Sequence, residues 1–272
     1  MTDFWDTVLT FAETTGARVG TQLMSDFGAV RASEKADGSL ITRSDKWADE
    51  EIRNAITSTF PSHGILSEEG EQVFPENEWC WIIDPLDGTT NFARGIPVWA
   101  ISMALLHRGA PVFGYVHLPP IRQTFHGFWG DPTGTPPTGA FLNRRPIHTN
   151  EDSPGSNHFF SFCSRSILWI QHPFPCKVRM LGVASYNFLT VAAGFTLGGV
   201  EATPKIWDLA GVWAIVRAAG GAWVSMHPEP LFPLTAGRDY GKISLPTLVA
   251  SQEKWVPVFQ SKLEPLSKSS PG

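Results

Sequence analysis

Apolar residues recur at Phe4, Val8, Phe11, Val19 and Leu23, a spacing that places them on one helical face. Gly28 marks the expected stop. A polar stretch with an Asp37-Gly38 turn follows. A second helix is expected from Ser44-Asp45, with Ser44 as N-cap and Asp45 at the positive helix end. Its stripe is Ala48, Ile52, Ala55, Ile56 and Phe60, and Pro61 closes it. Trp79-Cys80-Trp81-Ile82-Ile83 is a continuous apolar run, which predicts a buried strand delivering Asp84. Pro85 keeps Asp84 out of helical backbone angles. Two further strands are expected over Trp99–His107 and Pro111–Leu118, joined at Arg108-Gly109, and another over Gln123–Trp129. The segment Gly130–Gly139 holds three prolines and three glycines and reads as a loop.

The second half predicts a strand at Phe159–Cys163, a helix over Ala184–Ala193 and a short strand at Gly199–Ala202. Asp208 is read as opening a strongly apolar helix through Leu209, Val212, Ile215, Val216 and Ala219, ended by Gly220-Gly221. A late strand, Leu248–Ala250, precedes a short helix near Glu253. Strands and helices mix without strict alternation, so layered α+β or α/β architecture is expected. One domain over residues 1–266 is expected, built of two packed α/β halves (about 1–150 and 151–266), with a disordered tail at 267–272.

Composition narrows the classes. Lys plus Arg is 21 and Asp plus Glu is 26, a net charge of -5, which argues against a nucleic-acid partner held on a basic face. No apolar run reaches the length needed to span a bilayer. The acidic start Met1-Thr2-Asp3 does not read as a secretory signal. Three cysteines, Cys80, Cys163 and Cys176, without Cys-x-x-Cys spacing fit a reducing cytoplasm. The 11 tryptophans fit either a sugar-binding surface or an indole-rich core.

The chemistry concentrates in Asp84-Pro85-Leu86-Asp87-Gly88-Thr89-Thr90-Asn91-Phe92. A strand end and turn present two carboxylates and the Leu86 carbonyl, the oxygen donors that hard divalent cations take. Gly88 removes a side chain where a ligand would approach the backbone. The helix opened by Thr89 would turn free N–H groups toward an anion. Glu68-Glu69 follows the short apolar run Ile65-Leu66, and Asp208 sits at a helix start, where an ordinary cap is the competing reading. No Walker A string, Gly-x-Ser-x-Gly elbow or complete EF-hand loop is present.

Together these strings resemble the inositol monophosphatase family of magnesium-dependent, lithium-sensitive phosphatases. Asp84–Phe92 is similar to the family's first signature, and Trp207-Asp208-Leu209-Ala210-Gly211 through Gly220-Gly221 to its second. The resemblance runs from about Phe4 to Val256. It implies a single phosphatase domain with an α-β-α-β-α sandwich and, from the family, a homodimer. It implies two or three Mg²⁺ ions held by Glu68, Asp84, Asp87, Asp208 and the Leu86 carbonyl. Direct attack by a metal-activated water is implied, with Glu68, Thr89 and Asp45 in catalytic roles. Gly88 and Thr89 N–H groups would hold phosphate, alongside Asp87 and Asp208, and Ala184 and Glu201 would line the alcohol pocket. Glu69 matches a position around the metal-bound waters, and Lys35 lies near a mobile metal-site loop in the family pattern.

The implied substrate is inositol 1-phosphate, a small phosphorylated polyol. Glu201 suits a polyol and would repel a second phosphate. Lys205-Ile206 and Ser67 depart from the inositol-specific pattern, and Lys205 puts positive charge near the expected substrate mouth. That keeps fructose 1,6-bisphosphate, histidinol phosphate and a 3′,5′-nucleotide bisphosphate as alternatives. A non-catalytic metal- or sugar-binding module is the reading from another class.

Overall fold

The stripe beginning at Phe4 folds as α1 (Phe4–Asp26), with Val8, Val19 and Leu23 fully buried. The computed structural model describes residues 4–30, 32–34, 40–130 and 138–264. Lys35, the middle of the expected 130–139 loop and the 267–272 tail lie outside the described residues. A hairpin of β1 (Ser33–Glu34) and β2 (Leu40–Ile41) leads into α2 (Arg43–Thr59). The N-cap of α2 is Thr42, not the expected Ser44. Thr42 has the extended backbone of a cap, and Asp45, three residues on, accepts from the Thr42 N–H at 2.7 Å. Thr42, Ser44 and Asp45 are all capping residue types, and backbone geometry selects among them.

The first sheet has seven strands in the order β3 (Gly64–Ser67), β4 (Trp79–Asp87), β5 (Ala100–His107), β6 (Ala110–Leu118), β7 (Gln123–Phe128), β8 (Gly139–Leu142) and β9 (Arg145–Pro146). Only β3 and β4 pair in parallel. Strand β5 is apolar along nearly its whole length because both faces are covered. Ile101, Met103 and Leu105 meet α1 and α2, while Ala100, Ala104 and Leu106 meet the opposite layer.

That opposite layer holds α4 (Ala184–Ala192) and α5 (Ile206–Ala218), which pack on each other. Helix α5 starts two residues before Asp208, which occupies its third position. It is buried on nearly all sides, and its backbone touches the first sheet. A Cβ placed on Gly114 of β6 would lie 1.9 Å from the Gly211 carbonyl oxygen.

Beyond this layer lies a five-stranded sheet in the order β11 (Lys177–Arg179), β10 (Phe159–Phe162), β12 (Gly198–Glu201), β14 (Thr247–Ala250) and β13 (Ala222–Ser225). Val249 faces inward, while Leu248 and Ala250 face an outer cluster with Phe160, Phe162 and Phe259. Phe259 comes from α6 (Val256–Gln260), the last layer. The fold is therefore a layered α/β structure of helices, sheet, helices, sheet and helix. The short α3 (Thr89–Ala93) follows β4 directly.

All 11 tryptophans are buried or half-buried. Trp5, Trp79 and Trp81 join Phe11, Phe60 and Phe128 in contacts under α1, Trp99 meets Phe92, and Trp169 lies beneath α6. Five are buried in the core and six are half-buried, so none stands fully exposed as a sugar platform would require. Among the described residues, no helix is long and apolar enough to cross a membrane.

Candidate active site

The expected strand at Trp79–Ile83 continues to Asp87, with a register shift between Asp84 and Asp87 against β5. Pro85 has no N–H to give the ladder, so pairing is interrupted where the carboxylates begin. Carboxylate oxygens of Asp84, Asp87 and Asp208 come within 4.8 Å of one another. Asp84 and Asp87 are buried, and Asp208 is partly exposed. Asp84 Oδ1 accepts from the Leu86 N–H at 3.0 Å, whereas its buried Oδ2 has no hydrogen-bond partner.

Unneutralised carboxylates this close are unfavourable in their charged forms. Burial pushes the Asp84 carboxyl well above its ordinary range, and the charges of Glu68, Asp87 and Asp208 push it further. Burial and then Asp87 do the same to Asp208, partly opposed by the Lys205 backbone N–H. The Lys205 N–H donates to Asp208 Oδ2 at 2.6 Å. Asp87 is also raised by burial, opposed by hydrogen bonds from the start of α4. The Ser185 N–H reaches Asp87 Oδ2 at 2.8 Å and the Ala184 N–H reaches Oδ1 at 3.4 Å. Ala184 thus holds a carboxylate through its backbone, a contact its expected place in the alcohol pocket did not include.

This donor set fits a hard divalent cation. The oxygens converge, one is orphaned in a buried place, and like charge needs a counterion. Glu68, half-buried after β3, is close enough to act on Asp84 and Asp208. Glu69 is half-buried beside it.

Asp45 and Thr89 meet although 44 residues apart, the Thr89 hydroxyl donating to Asp45 Oδ1 at 2.9 Å. Thr89 Oγ1 also lies 3.1 Å from the Leu86 carbonyl oxygen. Burial raises the Asp45 carboxyl, opposed by its bonds from Thr42 and Thr89. Gly88 links this pair to the cluster. Its φ of 92° is the left-handed region, and a Cβ there would lie 2.7 Å from Val183 Cγ2, so a larger residue is excluded.

Glu201 ends β12 fully inside the protein, where it accepts from the Asn187 amide. Burial raises its carboxyl, with Cys163 adding to the shift and Asn187 opposing it. Asn187 and Ser185 are the residues that sequence reasoning missed. The signal for Asn187 was an amide inside a helix that is buried along most of its length, whereas Ser185 acts through its backbone N–H and left no such mark. Lys205, expected to put positive charge near the mouth, keeps that charge while its Nζ donates to the Gly241 carbonyl at 2.9 Å.

The raised carboxyls give a pH prediction. A carboxyl raised on folding binds more protons in the folded than in the unfolded chain, so its contribution to stability declines as pH rises through the folded value. In EDTA, Tm should therefore be lower at about pH 8 than at about pH 5.5 through this cluster. Saturating Mg²⁺ should flatten that slope. Parallel slopes in EDTA and Mg²⁺, read by differential scanning fluorimetry, would remove the cluster as the cause.

Residues 5–255 match the model of the inositol monophosphatase family. The chain is 32% identical over 255 residues to an inositol-1-monophosphatase of Synechocystis, covering 87% of this chain and 86% of that one. It is 32% identical over 211 residues to a fructose-1,6-bisphosphatase/inositol-1-monophosphatase of Thermotoga maritima, covering 75% and 79%. The solved structure of a Thermotoga maritima IMPase superposes with a TM-score of 0.78 at 28% identity, covering 93% of this chain and 95% of that one. A buried acidic cluster on this layered fold, with similarity along nearly the whole chain, places the protein in the inositol monophosphatase family of phosphoric monoester hydrolases.

Proposed function

We propose that the chain is a Mg²⁺-dependent phosphomonoesterase that hydrolyses inositol 1-phosphate to inositol and phosphate. The observation that carries this reading is the convergence of Asp84, Asp87 and Asp208 beside the Asp45–Thr89 pair. Glu68, Asp84, Asp87, Asp208 and the Leu86 carbonyl would hold the Mg²⁺ ions. Bound Mg²⁺ supplies positive charge that polarises the phosphate and makes water more acidic. Thr89 donates its own proton to Asp45, which leaves a hydroxyl lone pair to accept a proton from the attacking water. Asp45, raised by burial, is suited to receive that proton by relay. As the water oxygen bonds to phosphorus, the ester P–O bond breaks; the leaving oxygen takes a proton from solvent water and departs as the alcohol, and Asp45 returns the relayed proton to solvent. Backbone N–H groups at Gly88 and Thr89, with Asp87 and Asp208 beside them, would position the phosphate.

Glu201, held by Asn187, suits a neighbouring polyol hydroxyl, and Ala184 would line the same pocket. The Gly241 carbonyl holds the Lys205 ammonium in one place, so a second phosphate would have to reach it there, whereas Glu201 favours an uncharged polyol. A panel of inositol 1-phosphate, fructose 1,6-bisphosphate, histidinol phosphate and a 3′,5′-nucleotide bisphosphate tests this by kcat/KM. Inositol 1-phosphate should rank first. Glu201→Gln should raise its KM by about fivefold, one weakened acceptor hydrogen bond, with a smaller change in kcat. A bisphosphate ranking first would overturn the substrate while leaving the reaction class standing.

A further inference from the structure

Glu68 and Asp208 come from distant parts of the sequence, and a strut joins the segments that carry them. At one end, the Gln72 amide donates to the Glu68 carbonyl at 2.7 Å. The Tyr240 N–H donates to the Gln72 carbonyl at 3.0 Å, and Val73 forms an isolated β-bridge with Asp239. Gln72 lies flat against Gly241, where an added Cβ would fall 1.8 Å from Gln72 Oε1. At the other end, the Lys205 ammonium donates to the Gly241 carbonyl at 2.9 Å, and the Leu245 N–H donates to the Pro204 carbonyl at 2.9 Å. The backbone of the same Lys205 holds the Asp208 carboxylate. The turn at 239–241 therefore contacts the Glu68 loop through Gln72 and the start of α5 through Lys205.

We propose that Gln72, Gly241 and Lys205 are positioning residues that fix the spacing between Glu68 and Asp208 and so set divalent-cation affinity. This rests on the proposed cation role of those two carboxylates. The strut uses the lysine charge on a carbonyl, leaving the nearby carboxylates for the cation. It also gives Gly241 a reason to lack a side chain. Any Cβ there must displace the Gln72 amide, the group that holds the Glu68 backbone.

The test uses the full chain as wild type, Lys205→Met, Lys205→Arg, Gly241→Ala and Gln72→Ala, with Mg²⁺ titrated by calorimetry and apo Tm measured alongside. Lys205→Met, Gly241→Ala and Gln72→Ala should each weaken Mg²⁺ binding by about 10-fold, within the range for residues that orient ligands. The kcat at saturating Mg²⁺ should stay within about twofold, because a positioned cation site is refilled by mass action. Lys205→Arg should recover most of the affinity. Combining Lys205→Met with Gly241→Ala should cost less than the sum, since both cut one connection. Unchanged Mg²⁺ affinity with a lowered apo Tm would overturn the proposal by making the strut merely structural. Affinity losses in Lys205→Met and Gly241→Ala that add in full would overturn the single-strut coupling. No Mg²⁺ binding by the wild-type chain would instead overturn the functional reading on which it rests.

Discussion

Asp84→Asn should reduce phosphate release by at least about 10³-fold, the rate equivalent of several kcal/mol of lost charge stabilisation. The same substitution should leave the cation-free protein as stable as wild type or more so. Asp84 is buried among Asp87, Asp208 and the charge of Glu68, and one of its oxygens has no hydrogen-bond partner. An amide removes one negative charge from a self-repelling group and keeps the side chain's shape. The decisive pattern is opposite movement: activity and Mg²⁺-induced stabilisation fall while Tm in EDTA holds or rises. An inert variant with a collapsed Tm would show only that the site is structural. Retained turnover would remove Asp84 from the cation set.

Gly114→Ala should be the most damaging single-methyl change outside the carboxylates. The new Cβ would stand 1.9 Å from the Gly211 carbonyl oxygen, and both partners are backbone. A flexible side chain could swing away; a strand and a buried helix cannot. Ordinary overpacking costs about 1–3 kcal/mol, and this contact should exceed it because the layers must separate to accept the methyl. Helix α5 carries Asp208 on its first turn, so folded Gly114→Ala protein should also bind Mg²⁺ poorly. Chemical denaturation compared with Gly155→Ala, where the backbone is not left-handed and an added Cβ would come no closer than 3.6 Å to any atom, separates the clash from the loss of a glycine. Equal stabilities would contradict the packing described.

The stripe of α1, the buried strand before Asp84 and the apolar α5 were legible because burial imposes a period or a run on residue choice. The Asp84–Phe92 string was legible because turn, carboxylates and glycine are adjacent. Other features lacked such a mark. Lys205 is not a capping residue type, and the start of α5 depends on Asp208 reaching back to its N–H. Strands β8, β11 and β13 have three or four residues each, too few to display alternation. The grip of Ser185 on Asp87 is a backbone contact 98 residues away, so no side-chain pattern could announce it. Lys205 read as mouth charge because sequence shows its sign and not the Gly241 carbonyl that receives it.

The mounting of Asp208 on a helix between the sheets has a consequence for synthesis. Asp208 follows Asp87 by 121 positions (208 − 87). At about 5–20 residues per second, a ribosome needs roughly 6–24 s to bring it out after the other carboxylates. The strands of the first sheet, the last of which ends at Pro146, are complete about halfway through that interval, while the proposed cation site still lacks its Asp208 ligand. The proposed cation site is thus completed after the first sheet has been made and before β13, β14 and α6 emerge, so a cation held by all of its ligands would act on a chain whose second sheet is still incomplete.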